Sequence, residues 1–265
     1  MSNSDFTLTV LGTRGSMAVY GDEYIEFGGS TSCYLVQAGQ KTVLLDAGSG
    51  LLKAPVSFPT PPVILLSHWH LDHLQGLGMY GRLSQAGMYT QLYAPAASKE
   101  NVLKSLNALY TPPYWPLELS GYAGDLDVDV VPKTLDLGPL TVETIEGNHP
   151  GGCLAFRLSY EGKVIVYATD YEHEPVSFAR LTDFARDANL LLYDGQYSEE
   201  DYESHKGFGH STAQKGIELM KASNAQRLLI VHHDPQSTDT ELLQRERRIG
   251  RTDVSFAREG EMIAL

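Results

Sequence analysis

Short apolar runs alternate with polar, glycine-containing turns along the first part of the chain. Runs of β-branched and aliphatic residues bounded by turn residues are typical of strands. We therefore predict strands at residues 6–11, 32–36, 42–45, 63–66 and 91–94. From about residue 98 to residue 110 the apolar spacing becomes helical, with Val102, Leu103, Leu106 and Leu109 on one stripe.

A proline-rich segment, residues 111–116, interrupts this pattern, and a second strand-rich part follows it. Buried strands are predicted at residues 128–131, 140–145, 154–159, 164–168, 190–193 and 228–231. Helices are predicted at about residues 175–187, 212–222 and 238–249. Because strands and helices are mixed and each half begins with strands, we predict a single α/β domain over residues 1–265. The expected architecture is a four-layer αββα sandwich, in which two sheets face each other and helices cover the outside.

Composition limits the classes of partner. The chain has 265 residues, of which 42% are hydrophobic, and 20 Lys and Arg against 33 Asp and Glu give a net charge of −13. A protein that grips long nucleic acid needs clustered basic residues, so we do not expect that partner. A small phosphorylated substrate is still compatible, because bound metal ions reverse the local charge.

Cysteine usage and apolar run length indicate the compartment. The chain has two cysteines, Cys33 and Cys153, and such a low number is typical of a reducing environment. We interpret both as small core residues; a single disulfide between them is the alternative. The first residues lack the basic and apolar regions of a secretion signal, and no apolar run approaches the roughly 20 residues that a bilayer requires. We expect a cytoplasmic protein that does not bind membranes.

The densest group of candidate functional residues directly follows the apolar run at residues 63–66, where the chain reads Ser-His-Trp-His-Leu-Asp-His. Four residues of this segment are of the metal-ligand type: His68, His70, Asp72 and His73. In an extended segment His68 and His70 point the same way, whereas Asp72 and His73 are predicted at the turn into a helix. Imidazole and carboxylate ligands together suit zinc, manganese or iron. Ligands with two orientations can serve two neighbouring metals, which together activate water at neutral pH.

Three further candidate ligands follow other buried runs. His149, Asp170 and His232 each lie where a predicted strand gives way to polar sequence. Strand ends gathered along one edge of a sandwich would bring these side chains to the histidine motif. His233 points away from His232, because adjacent residues on a strand face opposite sides, so we expect it behind the site or at the surface.

These motifs resemble those of the metallo-β-lactamase superfamily. Within it, the chain is similar to the branch that contains transfer-RNA 3′-processing endonucleases and a phosphoribosyl cyclic phosphodiesterase. The resemblance rests on residues 11–16, 28–33, 45–48, 67–76, 209–212 and 232–235. It implies the metallo-β-lactamase fold, with one metal held by His68, His70 and His149, a second held by Asp72, His73 and His232, and Asp170 bridging them. Asp46 resembles a residue that steadies the histidine loop.

His210, in Gly-His-Ser-Thr, matches a histidine that in this branch lies beside the metals and contacts the scissile phosphate or the leaving oxygen. The alternative is a structural residue at the start of a helix, beside a capping serine or threonine. The resemblance implies an enzyme, a dinuclear metal-dependent phosphodiesterase, with Asp72, Asp170 and His210 as catalytic residues and a metal-bridging hydroxide as nucleophile. Its substrate would be a small, even cyclic, nucleotide or phosphoribosyl ester.

Several properties follow from the resemblance or stay open. Two divalent ions per chain are expected, zinc first and manganese or iron as alternatives, and relatives are commonly homodimers. The competing functions are hydrolysis of a lactone, thioester or other carboxylic ester, and non-catalytic ligand sensing. Tyr114 and Trp115 could cover a pocket, form a dimer contact or plug the core. His173 is placed equally well at a pocket rim or on the surface, and His205 is expected on the surface.

Overall fold

The computed structural model describes residues 5–265. Within them the strands are β1 (Phe6–Gly12), β2 (Cys33–Ala38), β3 (Lys41–Leu45), β4 (Val63–Leu65), β5 (Tyr89–Ala94), β6 (Asp125–Val130), β7 (Thr134–Asp136), β8 (Leu140–Glu146), β9 (Leu154–Tyr160), β10 (Lys163–Ala168), β11 (Leu190–Asp194), β12 (Leu228–Val231), β13 (Val254–Phe256) and β14 (Met262–Ala264). The α-helices of the same range are α1 (Lys99–Leu109), α2 (Pro175–Phe184), α3 (Glu199–Tyr202), α4 (Ala213–Ser223) and α5 (Asp239–Ile249).

The strands form two mixed sheets of the same construction. The first has the order β14-β1-β2-β3-β4-β5-β6, and the second has the order β13-β12-β11-β10-β9-β8-β7. In the first sheet the pairs from β14 to β3 are antiparallel and those from β3 to β6 are parallel. The second sheet repeats this pattern, antiparallel from β7 to β10 and parallel from β10 to β13. Parallel neighbouring strands have their carboxyl ends at the same edge of the sheet. The polar motifs come directly after these strands, so they lie at that edge.

Alternation along the strands creates the layers. In β3, Val43 and Leu45 pack in the core between the sheets, whereas Leu44 packs with the residues of α1 on the outer face. In β10, Tyr167 faces the central core and Val166 faces the side covered by α2, α4 and α5. Successive side chains of a strand point to opposite faces, so each sheet is apolar on both sides. The predicted αββα sandwich is confirmed.

Two sequence expectations need correction. The end of the histidine motif does not lead into an α-helix; Leu71–His73 and Leu77–Met79 form 3₁₀ turns instead. The backbone there must approach the Gly48 turn, because a Cβ on Gly76 would lie 2.1 Å from the Gly48 carbonyl oxygen. The short elements β7, α3, β13 and β14 were not predicted, since each has too few residues to show a periodicity.

Two further expectations concern the cysteines and the membrane. Cys33 and Cys153 are both buried and free, as expected for core residues. Among the helices of residues 5–265, none combines the length and apolar character needed to cross a membrane.

Candidate metal centre and active site

The site lies where strands of both sheets end. Asp46 follows β3, the histidine motif follows β4, Asp170 follows β10 and His232 follows β12. Asp46, Asp170 and His232 adopt left-handed backbone conformations, with φ of 62°, 50° and 61°. Non-glycine residues seldom adopt this conformation, and it turns the chain sharply at the end of each strand. Strain of this kind at three neighbouring strand ends marks a functional edge.

Four buried ligand atoms converge in a first cluster. The Nε2 atom of His73 lies 3.1 Å from Asp72 Oδ2, 3.2 Å from Asp170 Oδ2 and 3.2 Å from His232 Nε2. The Nε2 atom of His232 lies 3.2 Å from the same oxygens of Asp72 and Asp170. Two imidazoles and two carboxylates around one point form a donor set for a divalent metal ion.

A second cluster lies on the other side of Asp170. His149 Nε2 is 3.1 Å from His70 Nδ1, and both His149 Nε2 and His68 Nε2 are 3.7 Å from Asp170 Oδ1. The two oxygens of Asp170 therefore face different clusters, Oδ2 the first and Oδ1 the second. The structure thus brings together all seven residues that the sequence predicts as metal ligands.

The protonation states of Asp170 and His68 suit metal binding. Burial alone would raise the pKa of the Asp170 carboxyl, but the imidazoles of His232, His73 and His68 outweigh it and hold the pKa well below its ordinary value. Burial, reinforced by the neighbouring His73, lowers the pKa of His68 well below its ordinary value. The carboxylate is thus ionised and the His68 imidazole neutral, as metal ligands must be.

One atom shows that the clusters fit metal ions. His68 Nε2 is buried and has no hydrogen-bond partner among the described residues. A buried polar atom without a partner costs about 1–3 kcal/mol, and such atoms are rare in folded proteins. Because the neutral ring presents a lone pair toward Asp170, a bound cation would satisfy this atom. The residues present therefore fit divalent metal ions.

Asp46 holds the histidine loop in place. Its Oδ1 accepts a hydrogen bond from the Ser67 amide at 2.7 Å, and its Oδ2 accepts from the Ser67 hydroxyl at 2.9 Å and the Tyr167 hydroxyl at 2.6 Å. The Nδ1 atom of His73 lies 2.7 Å from the same Oδ2. A carboxylate at Nδ1 fixes the proton there and leaves Nε2 directed at the cluster. Asp46 thus occupies the steadying position that the sequence resemblance implies.

Other histidines are oriented by acceptors on neighbouring loops. His149 Nδ1 lies 2.9 Å from the Gly209 carbonyl oxygen, and His232 Nδ1 lies 2.8 Å from Gln196 Oε1. Each acceptor holds the Nδ1 proton and so directs Nε2 toward the clusters. The loops at residues 196 and 209 consequently belong to the site, although they supply no proposed ligand.

His210 lies beside the clusters and is held by Asp194. Its Nδ1 is 2.8 Å from Asp194 Oδ2, and its ring is stacked on that of His232 with centroids 4.8 Å apart. Burial alone would lower the pKa of His210, but the carboxylates of Asp194, Asp170 and Asp72 raise it to about 9. Divalent cations in the clusters would oppose this increase. Thr212 caps α4, as the structural alternative expects, but the contacts of His210 with Asp194 and with the His232 ring place its side chain at the clusters as well.

Asp194 is one functional residue that sequence reasoning missed. It is fully buried at the end of β11. Besides His210, its carboxylate accepts hydrogen bonds from the amides of Asp170, Gln196 and Ser211 at 3.0–3.1 Å. Both oxygens are thus occupied by donors, which makes Asp194 an anchor of the site. A signal was present, since Asp194 directly follows the predicted run 190–193, in the same kind of position as His232.

Glu172 is a second missed anchor. Its Oε1 accepts from the Gly207 amide at 2.7 Å, and its Oε2 accepts from the Gly209 amide at 3.0 Å. The side chain therefore fixes the loop that carries His210 and the carbonyl acceptor of His149. Sequence gave no signal for it, because a glutamate in a polar stretch is ordinarily solvated.

The remaining histidines and aromatic residues lie outside the clusters. His233 is fully buried between Phe27 and Phe256, with Nε2 2.9 Å from the Ala257 carbonyl oxygen, so a surface position is wrong. His173 is half-buried against Tyr202, and its Nδ1 is 2.8 Å from the hydroxyl of Ser211, the residue after His210.

The aromatic residues of the proline-rich segment face different surroundings. Trp115 packs against Tyr110 and bonds to the Tyr122 hydroxyl, so it plugs the outer core of the first sheet. Tyr114 is 76% exposed. Neither contacts the ligand clusters.

Comparison with known proteins matches this architecture to a family. The β-lactamase superfamily domain matches residues 41–233, which include every candidate ligand. The chain belongs to this superfamily. It is a metallo-hydrolase, and the clusters of histidine and aspartate described above could bind its metal.

The chain is similar over most of its length to several known proteins. It is 25% identical to a probable metallo-hydrolase, YhfI of Bacillus subtilis, over 96% of this chain and 97% of that protein. It is 22% identical to ribonuclease Z of Thermoplasma acidophilum over 77% of this chain and 81% of that enzyme. Among solved structures, a diphosphatase from the PhnP family shares the fold with a TM-score of 0.73, 18% identity and coverage of 98% of both chains. The predicted superfamily is confirmed, and the curated relatives support the predicted branch within it.

Proposed function

We propose that this protein is a phosphodiesterase with two divalent metal ions per chain, acting on a small nucleotide or phosphoribosyl ester. His68, His70, His149 and Asp170 would hold one ion, and Asp72, His73, His232 and Asp170 would hold the other. Zinc is the first expectation for these ligands, with manganese or iron as alternatives. Ions bound there would activate water and polarise the phosphoryl oxygens of the substrate.

The observation that carries this proposal is the placement of His210. Asp194 accepts the Nδ1 proton, and the ring lies between the proposed ligands His232 and His149, at centroid distances of 4.8 and 5.2 Å. Its Nε2 has no hydrogen-bond partner among the described residues, and the side chain is 10% exposed. An imidazole fixed in this way can donate a proton to a phosphoryl or leaving-group oxygen.

The other catalytic residues act through the clusters. Asp170 presents one carboxylate oxygen to each cluster, which fixes their separation. Asp72 accepts a hydrogen bond from the Ser16 amide at 2.7 Å, which orients its carboxylate toward His73 and His232. We propose that Asp72 orients the attacking water, as well as serving as a ligand.

Electrostatics support a small substrate. With a net charge of −13, the chain has no excess of basic residues with which to bind a long phosphate backbone.

The related ribonuclease Z shows that this scaffold serves phosphodiester chemistry, and the PhnP-family relative is a diphosphatase. Both relatives support phosphorus as the centre attacked.

A direct test compares reaction classes on the zinc-loaded protein. We expect turnover of bis(p-nitrophenyl) phosphate to exceed that of a γ-lactone and of a thioester. Preferential hydrolysis of the lactone or thioester would instead establish the carboxylic ester function, and binding without turnover of any of them would favour a sensor. An Asp170→Asn variant, which is expected to disrupt both clusters, controls for contaminating hydrolases.

Two properties accompany the proposal as predictions. A homodimer is expected, and light scattering of the purified protein would test it. Location in the cytoplasm is expected from the low cysteine content, and the two free, buried thiols are compatible with it.

A further inference from the structure

Three exposed apolar side chains are close in sequence to the proposed catalytic residues or their partners. Met17, Leu71 and Phe208 are 67%, 58% and 59% exposed. Met17 follows Ser16, which bonds to Asp72; Leu71 directly precedes Asp72; and Phe208 is two residues before His210. A large apolar side chain that is exposed next to a functional residue is a candidate contact for a bound molecule.

Phe208 continues a row of rings that begins at His210. The Tyr197 ring lies edge-on to His210 at 5.8 Å, and His205 is stacked on Tyr197 at 4.5 Å with the planes 23° apart. The Phe208 ring meets His205 edge-on at 5.5 Å. Tyr197 is buried and Phe208 is exposed, so the row leads from the reactive histidine out to solvent.

The backbone on both sides of Phe208 is fixed. The amides of Gly207 and Gly209 both donate to the carboxylate of Glu172. The Gly209 carbonyl also accepts the hydrogen bond from His149, a proposed metal ligand. Phe208 is therefore presented to solvent at a set distance from the site, which is what a binding platform requires.

We propose that Phe208, with His205 behind it, forms a stacking platform for a planar ring carried by the substrate, of the nucleobase class. This inference rests on the proposed function and specifies its substrate. A flat π-face stacks on an aromatic side chain without needing charge or a fixed hydrogen-bond pattern. The basic side chain nearest in sequence, Lys206, is paired with Glu203, so the platform offers a ring and not a phosphate-binding surface.

Binding of two ligands that differ only by the ring tests the proposal. Isothermal titration of the zinc-loaded protein would compare thymidine 5′-monophosphate with 2-deoxyribose 5-phosphate. We expect the nucleotide to bind about tenfold more tightly, within the range for one base stacked on an aromatic residue. In Phe208→Ala this ratio should fall to about twofold or less.

Matched variants separate stacking from simple apolarity. Phe208→Trp should keep the ratio and Phe208→Leu should lose most of it, because leucine is apolar but has no flat face. Met262→Ala, which removes an exposed apolar side chain from β14, should leave the ratio unchanged. Thermal unfolding of each variant would verify that it folds.

Three results would overturn the platform: no binding of the nucleotide, equal binding of both ligands by the original protein, or an unchanged ratio in Phe208→Ala. A dimer that dissociates in Phe208→Ala with the ratio intact would assign the ring to a subunit interface.

Failure of the proposed function is seen separately, as absence of phosphodiester turnover. A ring preference that persists without such turnover would keep the platform and reject the phosphodiesterase.

Discussion

A single buried carboxylate oxygen, Oδ2 of Asp194, lies 2.8 Å from Nδ1 of His210 and 3.1 Å from the Asp170 amide nitrogen. The proposed proton donor and the residue shared by both ligand clusters are therefore attached to one anchor at the end of β11. Because the anchor is fully buried, its charge acts on His210 with little screening by water.

Replacing Asp194 by asparagine should shift the pH dependence of the reaction. The carboxylates around His210 raise its pKa to about 9, and activity that needs protonated His210 is lost as pH rises through that pKa. Asp194→Asn removes one of those charges, so the alkaline limb of kcat/KM should move to lower pH. Bound cations lower the pKa of His210 in the original protein and in Asp194→Asn alike. The quantity to measure is therefore the difference between the two proteins in the pH of the alkaline limb. An alkaline limb at the same pH in both proteins would show that His210 is not the group whose titration limits activity.

Removing the imidazole of His210 should separate chemistry from metal binding. Loss of a positioned acid typically costs about 10²–10⁴-fold, so His210→Ala should lose that much kcat on bis(p-nitrophenyl) phosphate. Its metal content should be unchanged, because the proposed ligands keep their partners. Elemental analysis and steady-state kinetics on one preparation give both values. Full activity in this variant would refute the assignment.

Truncating Asp72 should deplete metal. Its carboxylate is one of two in the cluster with His73 and His232, so Asp72→Ala leaves one carboxylate for that ion. We expect metal per chain, measured by elemental analysis after dialysis, to fall by about half. The matched control is Asp127→Ala, which removes an exposed carboxylate paired with Lys99 on the surface. Equal metal content in both variants would contradict the ligand assignment.

A pair of glycines offers a test of loop position. Gly207 and Gly209 have nearly equal φ of 89° and 90°, so alanine strains the backbone similarly at each. A Cβ on Gly209 would lie 2.0 Å from His149 Nδ1, whereas nothing lies within 4 Å of one on Gly207. Gly209→Ala should displace His149 and lower both metal content and kcat.

Gly207→Ala serves as the control for that displacement. It should cost only backbone strain, about 1–3 kcal/mol of unfolding free energy, and should retain its metal. Similar metal loss in both alanine variants would mean that loop strain, and not contact with His149, governs the site.

Sequence patterning predicted strands that are bounded apolar runs and missed β13 and β14 at the sheet edges. The strand at Leu228–Val231 was predicted to the residue, because a fully apolar run bounded by polar residues is unambiguous. Strands of three residues such as β13 and β14 exist because they pair at sheet edges, which no local pattern reveals. After His73 the chain forms a 3₁₀ turn at Leu77–Met79, and the close approach of Gly76 to the distant Gly48 backbone is a contact that no local pattern reveals.

The sequence by itself determined the fold and the candidate ligands, because apolar runs place strands in sheets and each metal-type residue follows one of those runs. The resemblance implied the division of the ligands into two groups, and the tertiary structure showed which oxygen of Asp170 faces each cluster. It also revealed Asp194 and Glu172 as anchors and Phe208 as the exposed end of a row of rings that begins at His210. These relations join residues far apart in sequence across the ends of strands, and their distances are set by packing of the two sheets.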